Sequence, residues 1–507
     1  MLQAIRKLQS RSFPSDRELW NHVDSMALFM LFLLVSVTVL ILSQLVLQDF
    51  PNSADEHAYL FQAQIFAAGT ISVPAQPQQE FFSPFYIHTY QNTVFSIFPP
   101  GWPLLLSLGV RCGYPQIVNP VIAGLTVPAL YFLSWLLFGR RNAWITVLLV
   151  ILSPFFLFNS ASYFSHPACF LGILLMTSGF VLWLRSEQVI FAVMAGFFFS
   201  GAFTIRELTA SALSIVLFVS IFSQTKRKLI FILYFFMGAM PLLSWYLWYN
   251  AELSGSWFVP PRFLMPGERL GFGFREIRVF DYVREQYFGP SNALSNLMLN
   301  LGRLLIWTFP FTPILAAYGL IRKSNQKWFR TLASVLICLP AVYFFYPSDG
   351  GNQYGPRFYY ESLGFLAMPA AEAILLLKEY GKNRAKRRLM KTIVLFILII
   401  HVIVMAQITF DFAQQIYQRR TLFRLVERRN LHHAIVFVGA SSGTMTQGDL
   451  IRNPPELSAA NVLYAWDQGK KNRELMDRFP ERSFYFFGYD RINGSHYITP
   501  IRPNPEK

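Results

Sequence analysis

The feature that most constrains this chain is a recurring pattern of apolar runs of about twenty residues, closed by short loops that carry Lys and Arg. At ~1.5 Å per residue, such a run crosses the ~30 Å hydrocarbon core of a bilayer. In lipid every backbone N–H and C=O must be paired within its own segment, so these runs must be helices. The first, Ser25–Leu47, is preceded by Arg6, Lys7 and Arg11. It exceeds the ~7–15-residue core of a signal peptide, so it reads as an uncleaved span with a cytoplasmic N-terminus. Composition agrees. Hydrophobic residues make up 53% of the chain and charged residues 14%, against roughly 25% charged in soluble domains.

The formal charge of +16 would suit nucleic acid only as a continuous basic face. Instead it is split among Gly139-Arg140-Arg141, Lys226-Arg227-Lys228, Arg322-Lys323 and Lys378 through Lys391, in loops between apolar runs. Lys and Arg in short loops mark the cytoplasmic side. The charge is therefore topology, which excludes nucleic acid as a partner and leaves membrane lipids. Further spans are expected at Ile117–Phe138, Ala143–Phe158, Ala168–Trp183, Val189–Thr204, Leu208–Phe222 and Leu229–Tyr249. Leu301–Ile321, Leu332–Tyr346, Tyr359–Leu377 and Lys391–Ile408 follow. About eleven spans in all would leave the C-terminus outside.

The expected fold is thus a polytopic α-helical membrane domain over residues 1–409, with outer loops at 48–116 and 250–296. Within the first loop, Trp102–Arg111 is too short to span and is expected along the interface. A small extracytoplasmic α/β domain should occupy 410–507, because Ala434–Val438, Val462–Ala465 and Ser483–Phe487 have strand length and turn-forming borders. Cys112, Cys169 and Cys338 lack any metal spacing and read as packing residues.

Ionisable groups at a membrane edge are candidates for function, and Asp55-Glu56 stands just beyond the first span. Ser53-Ala54-Asp55-Glu56 is a capping-box pattern, which offers Glu56 a structural role beside a binding one. Asp55, Tyr59, Gln62 and Phe66 share one helical face. The first-turn dipole favours an ionised Asp55, as a general base requires. Phe98-Pro99-Pro100-Gly101-Trp102-Pro103 sets an extended turn into a helix, with Trp102 as an interfacial anchor. In the segment Tyr354 to Glu361, Arg357 sits in an outer loop against the basic-inside pattern and calls for a partner. That partner is either a phosphate or carboxylate gripped by its fork, or Glu361 four positions on. Arg206-Glu207, between two short spans, is open to the same two readings. His166 starts an outer-facing span, where a lone histidine is more often structural. His57, His88 and His401 form no metal set with it.

In their order and sidedness, Asp55-Glu56-x-x-Tyr59, Pro99-Pro100-Gly101 and Tyr354-Gly355-Pro356-Arg357-Phe358-Tyr359-Tyr360-Glu361 resemble bacterial membrane glycosyltransferases of the GT-C class. More narrowly they resemble glycosyltransferase family 39, the protein-mannosyltransferase and aminoarabinose-transferase-like group. The stretch Tyr249-Asn250 to Ser254-Gly255-Ser256 with Gly271-Phe272-Gly273 is similar to the family's second outer loop. Asn453-Pro454-Pro455-Glu456-Leu457 and Gly469-Lys470-Lys471-Asn472 are similar to the tail of one bacterial subgroup. The resemblance spans nearly the whole chain. It implies a polyprenyl-phosphate-sugar donor, a glycan, lipid or protein acceptor, an outer-face site in a bacterial inner membrane, and inversion at the anomeric carbon. Asp55 matches the catalytic aspartate. The candidate substrate contacts are Glu56, Tyr59, His166, Arg206, Tyr354, Arg357 and Glu361, with Arg357 suited to the donor phosphate. Where many members carry a second acidic residue, this chain has Ser165-His166. No cofactor is therefore named, and a divalent metal stays open.

The implied chemistry needs no nucleotide loop, and the chain has neither a Walker motif nor a dinucleotide fingerprint. A transporter or flippase of lipid-linked sugars is the main rival. It would favour charges at mid-bilayer and broken helices in matching halves, whereas the charges here gather at the outer edge. A scaffold that binds a partner through its tail is the third reading.

Overall fold

The computed structural model describes residues 22–265, 270–279, 282–351, 354–380, 384–439, 450–490 and 492–501. Arg6, Lys7 and Arg11 lie outside them. Six helices among the described residues are long and apolar enough to cross a membrane: His22–Val46, Pro115–Phe138, His166–Ser186, Lys228–Ser254, Arg357–Lys378 and Lys391–Arg419. The apolar run of the last of these has little protein cover. Leu395, Phe396, Val402 and Ile403 are each more than half exposed, which is stable only with lipid against them. The protein is an integral membrane protein.

Six such helices stand beside the about eleven spans expected, and two of the expected runs are bent at proline. The run expected at Ala143–Phe158 is two helices, Arg140–Ile151 and Pro154–Ala161, bent by 59° at Ser153-Pro154. The run expected at Leu301–Ile321 is likewise broken, with Pro290–Trp307 and Thr312–Arg322 bent by 101°. Pro310 and Pro313 flank that corner, and Phe311 takes a left-handed φ of 64°. Proline cannot donate within a helix and clashes with the preceding turn, so an apolar run containing one need not be a single rod. Counting each bent pair as one span gives up to eight. Val189–Ile205 and Glu207–Phe222 are shorter apolar helices meeting at Arg206.

The basic loops gather at one end. Arg140 pairs with Asp24 at 2.9 Å and Arg227 with Glu187 at 3.1 Å. Trp183 Nε1 donates to Thr225 Oγ1 at 3.0 Å. At the opposite end the first outer loop folds into helix Ala54–Ala67, a three-stranded antiparallel sheet with Thr93–Ser96 central, and helix Gly101–Arg111. That last helix shows Leu104, Leu105 and Leu108 to the outside, as an interfacial helix should. Trp102 is not its anchor, however. It is fully buried and donates Nε1–H to the Tyr163 carbonyl at 2.8 Å. Gly101 permits this docking, since a Cβ there would stand 2.5 Å from Thr204 Oγ1.

Helix Arg384–Arg419 continues through residue 410 without a break, so the α/β unit begins beyond it rather than at 410. Its sheet runs in the order Val462–Trp466, Ala434–Val438, Ser483–Asp490, Ser495–Ile501. The first three strands are parallel and the fourth, unforeseen in the sequence, is antiparallel. One face of this unit is closed by the first outer loop, with Phe81 and Phe82 packed among Phe437, Leu463 and Phe484. The three cysteines are free thiols, Cys112 exposed and Cys169 buried.

Candidate active site

The segment between Ser162 and His166 is where the site is assembled. Asn119 Nδ2 donates to the carbonyls of Ser162 and Phe164 at 2.6 and 2.9 Å, and Trp102 holds Tyr163. Glu56 supplies the remaining tie. Ser53 Oγ accepts from Glu56 N, and Glu56 Oε1 accepts from Asn52 N, both at 3.2 Å. Glu56 Oε2 accepts from Tyr163 N at 2.9 Å. The capping-box pattern has therefore folded into a cap that also stitches two segments together. Burial pushes the Glu56 carboxyl up to about 7 against these hydrogen bonds.

With that turn held, two charged clusters face each other across a partly open cavity of about 150 Å³, room for several waters or a small polar ligand. In the first cluster, Arg357 Nη1 donates to Asp55 Oδ2 at 2.5 Å. Both side chains retain slight exposure, 14% and 13%. The guanidinium lies 4.7 Å from the centre of the Phe164 ring, a cation–π seat on the segment just described. In the second cluster, Glu361 Oε1 lies 3.1 Å from Arg206 Nε and 3.0 Å from His166 Nδ1. Arg206 also donates to Tyr343 Oη at 3.1 Å and to Ser165 Oγ at 3.4 Å. Tyr59 Oη meets the same Ser165 at 3.3 Å.

Asp55, Tyr59, His166, Arg206 and Arg357 line the cavity. Three other expected contacts do not. Glu56 is fully buried, with both oxygens taken by the hydrogen bonds above. Tyr354 is fully buried and stacked on Phe412 at 5.0 Å, while its carbonyl accepts from Asn159 Nδ2 at 2.8 Å. Glu361 stands behind the lining and braces Arg206 and His166. The sequence-local partners are also corrected. Arg357 does not pair with Glu361, nor Arg206 with Glu207. Glu207 instead accepts from Tyr246 Oη and lies 3.4 Å from Arg262. Arg357 opens the six-residue 3₁₀ stretch Arg357–Ser362, and its side chain leaves for the first outer loop while Glu361 faces the other way.

Sequence reasoning missed Tyr343. Its ring stacks on Phe358 at 4.5 Å and 6°, and its hydroxyl meets Arg206 and Thr209. The only signal was a tyrosine at the outer end of an apolar run, which also fits a simple interface residue. Among the described residues no three His, Cys, Asp or Glu side chains gather as a cation site. Asp55 and Glu361 are each matched to an arginine, a poor donor set for a divalent ion.

The chain, with its apolar helices broken at prolines and a loop folded over a charged cavity at their ends, shares its fold with solved glycosyltransferases of the GT-C class. The solved structures with this likeness include ArnT from Cupriavidus metallidurans bound to undecaprenyl phosphate, 12% identical with TM-score 0.53. The same ArnT in the apo state has TM-score 0.54. In each case the match covers 92% of this chain and 94% of the other. The archaeal oligosaccharyltransferase AglB from Archaeoglobus fulgidus matches at 11% identity and TM-score 0.46, over 95% of this chain and 75% of that one. No family model and no curated protein matches the sequence.

Proposed function

We propose that this protein is an inverting glycosyltransferase that moves a sugar from a polyprenyl-phosphate donor to an acceptor hydroxyl. The reaction takes place at the outer face of a bacterial inner membrane, with the α/β unit on the same side. The observation that carries this reading is the Asp55–Arg357 pair lining a polar cavity at the loop end of the bundle. One partner suits a hydroxyl proton and the other a phosphate. The ArnT structure with this fold binds undecaprenyl phosphate, which supports a lipid-phosphate leaving group.

The acceptor oxygen attacks the anomeric carbon from the face opposite the phosphate, and the C–O bond to the phosphate breaks. Its electron pair leaves with the polyprenyl phosphate, and the hydroxyl proton passes to Asp55. A carboxylate is a weak base, so the proton moves in concert with bond formation. Charge gathering on the phosphate is met by Arg357, with Arg206 further along the wall. Arg357 is held by Asp55. Arriving phosphate competes for the guanidinium and frees the carboxylate, so donor binding arms the base. His166 and Tyr59 contact the substrates from the same wall.

Membranes containing the protein, supplied with a labelled polyprenyl-phosphate sugar, should pass label to envelope material, and those of Asp55→Asn should not. Transfer by a folded Asp55→Asn variant at the wild-type rate would remove Asp55 as the base. Movement of intact lipid-linked sugar across the bilayer without transfer would instead indicate a flippase.

A further inference from the structure

A second cleft, about 860 Å³, opens between the first outer loop and the α/β unit. The chain around Tyr86 lies between it and the Asp55 cavity. Tyr86 lines the Asp55 cavity, while its neighbours Phe85 and Ile87 line the second cleft. Tyr86 takes a left-handed φ of 64°, so the backbone turns there between the two spaces. An occupant of the second cleft therefore lies directly behind the wall of the reaction cavity.

The lining is neither greasy nor simply charged. Phe85 and Trp466 meet edge to face at 6.3 Å, and the Trp466 N–H is committed to the Ser83 carbonyl at 3.0 Å. Gln79 and Gln468 add amide groups on opposite walls. Lys470 and Lys471 are exposed on the rim and have no ion-pair partner among the described residues. Asp467, a carboxylate of the lining, has Oδ1 accepting from Gly469 N and Asn472 Nδ2 at 3.2 and 2.6 Å. Glu80 is the other carboxylate of the lining.

We infer that this cleft binds the part of the acceptor remote from its reacting hydroxyl, and that the acceptor is an oligosaccharide bearing carboxylate or phosphate groups. A sugar ring presents an apolar C–H face and a rim of hydroxyls. The two aromatic rings match the face, and the glutamines match the rim as both donors and acceptors. The paired ammonium groups match acidic substituents through charge-assisted hydrogen bonds. This inference rests on the glycosyl-transfer reading and names the class of its second substrate.

The test uses the full chain purified in detergent, with oligogalacturonate as acidic probe, maltooligosaccharide as neutral probe and polyglutamate as acidic peptide. Oligogalacturonate should bind the wild type in preference to the other two. The double variant Lys470→Glu/Lys471→Glu should lose about tenfold or more of that affinity, two charge-assisted contacts having become repulsions. Thermal unfolding checks the fold, and Lys470→Gln/Lys471→Gln is the milder companion. Equal affinity in wild type and both variants overturns the cleft, as does no binding of oligogalacturonate or a preference for polyglutamate. Undecaprenyl phosphate binding on the same preparation reads the Asp55 cavity separately. Its absence from the wild type would count against the transferase reading, whatever the glycan result.

Discussion

If Arg357 is shared in turn between Asp55 and the donor phosphate, removing the carboxylate should tighten the lipid while abolishing the chemistry. The perturbation is Asp55→Asn, which keeps the side-chain shape. The pair is at 2.5 Å with only 13–14% exposure on either side, more sheltered than a surface ion pair and wetter than a core one. A pair in that setting is worth about 1–2 kcal/mol, which any incoming phosphate must give up. Asp55→Asn should therefore bind undecaprenyl phosphate roughly 5- to 30-fold more tightly than wild type. Turnover should fall by about 10²–10⁴, the usual contribution of a general base. Arg357→Gln should weaken the lipid, and in the double variant the gain from Asp55→Asn should vanish. Binding is read by titration calorimetry in detergent and turnover by transfer of labelled sugar. An Asp55→Asn protein that binds the lipid no more tightly than wild type would refute the exchange. So would a gain that survives in the absence of Arg357.

Four further outcomes follow from the surrounding structure. Glu56→Ala leaves the Asn52 and Tyr163 N–H groups unpaired and should cost about 2–4 kcal/mol of stability, read as a lowered unfolding midpoint. Because burial raises the Glu56 carboxyl from 4.5 to about 7, its contribution is fully present below pH 4.5 and fades as pH rises through 7. Wild type should thus lose stability relative to Glu56→Gln across that window, and parallel pH profiles would contradict the shift. Arg206→Gln strands Glu361 beside a buried imidazole and should destabilise by about 3–5 kcal/mol, with Glu361→Gln in the same chain restoring most of the unfolding midpoint. Gly101→Ala drives a methyl into Thr204 and should cost about 1–3 kcal/mol, checked by thermal unfolding against Gly69→Ala, where no atom lies within 4 Å but φ is +84°.

The division between what the sequence carried and what it did not follows physical range. Bilayer-length apolar runs, basic loops at one end and strand-length runs in the tail are local patterns, and each was legible because burial in lipid or in a sheet acts on consecutive residues. The Ser53–Glu56 cap was legible for the same reason. The bends were not, because Pro154, Pro310 and Pro313 sit in apolar runs whose hydropathy does not reveal a corner. Partner choice was the least legible. Arg357 and Glu361 are spaced to pair on a helix, yet one reaches Asp55 and the other reaches His166 and Arg206.

The sequence by itself determined that this is a membrane-spanning chain with Asp55, Arg206, His166 and Arg357 at the ends of its apolar runs. Which of them meet was decided only by the tertiary structure. Asp55 and Arg357 are 302 positions apart in the chain. A charge in a low-dielectric setting takes whatever counter-charge the packing of distant helices brings within reach, and no local pattern encodes that choice.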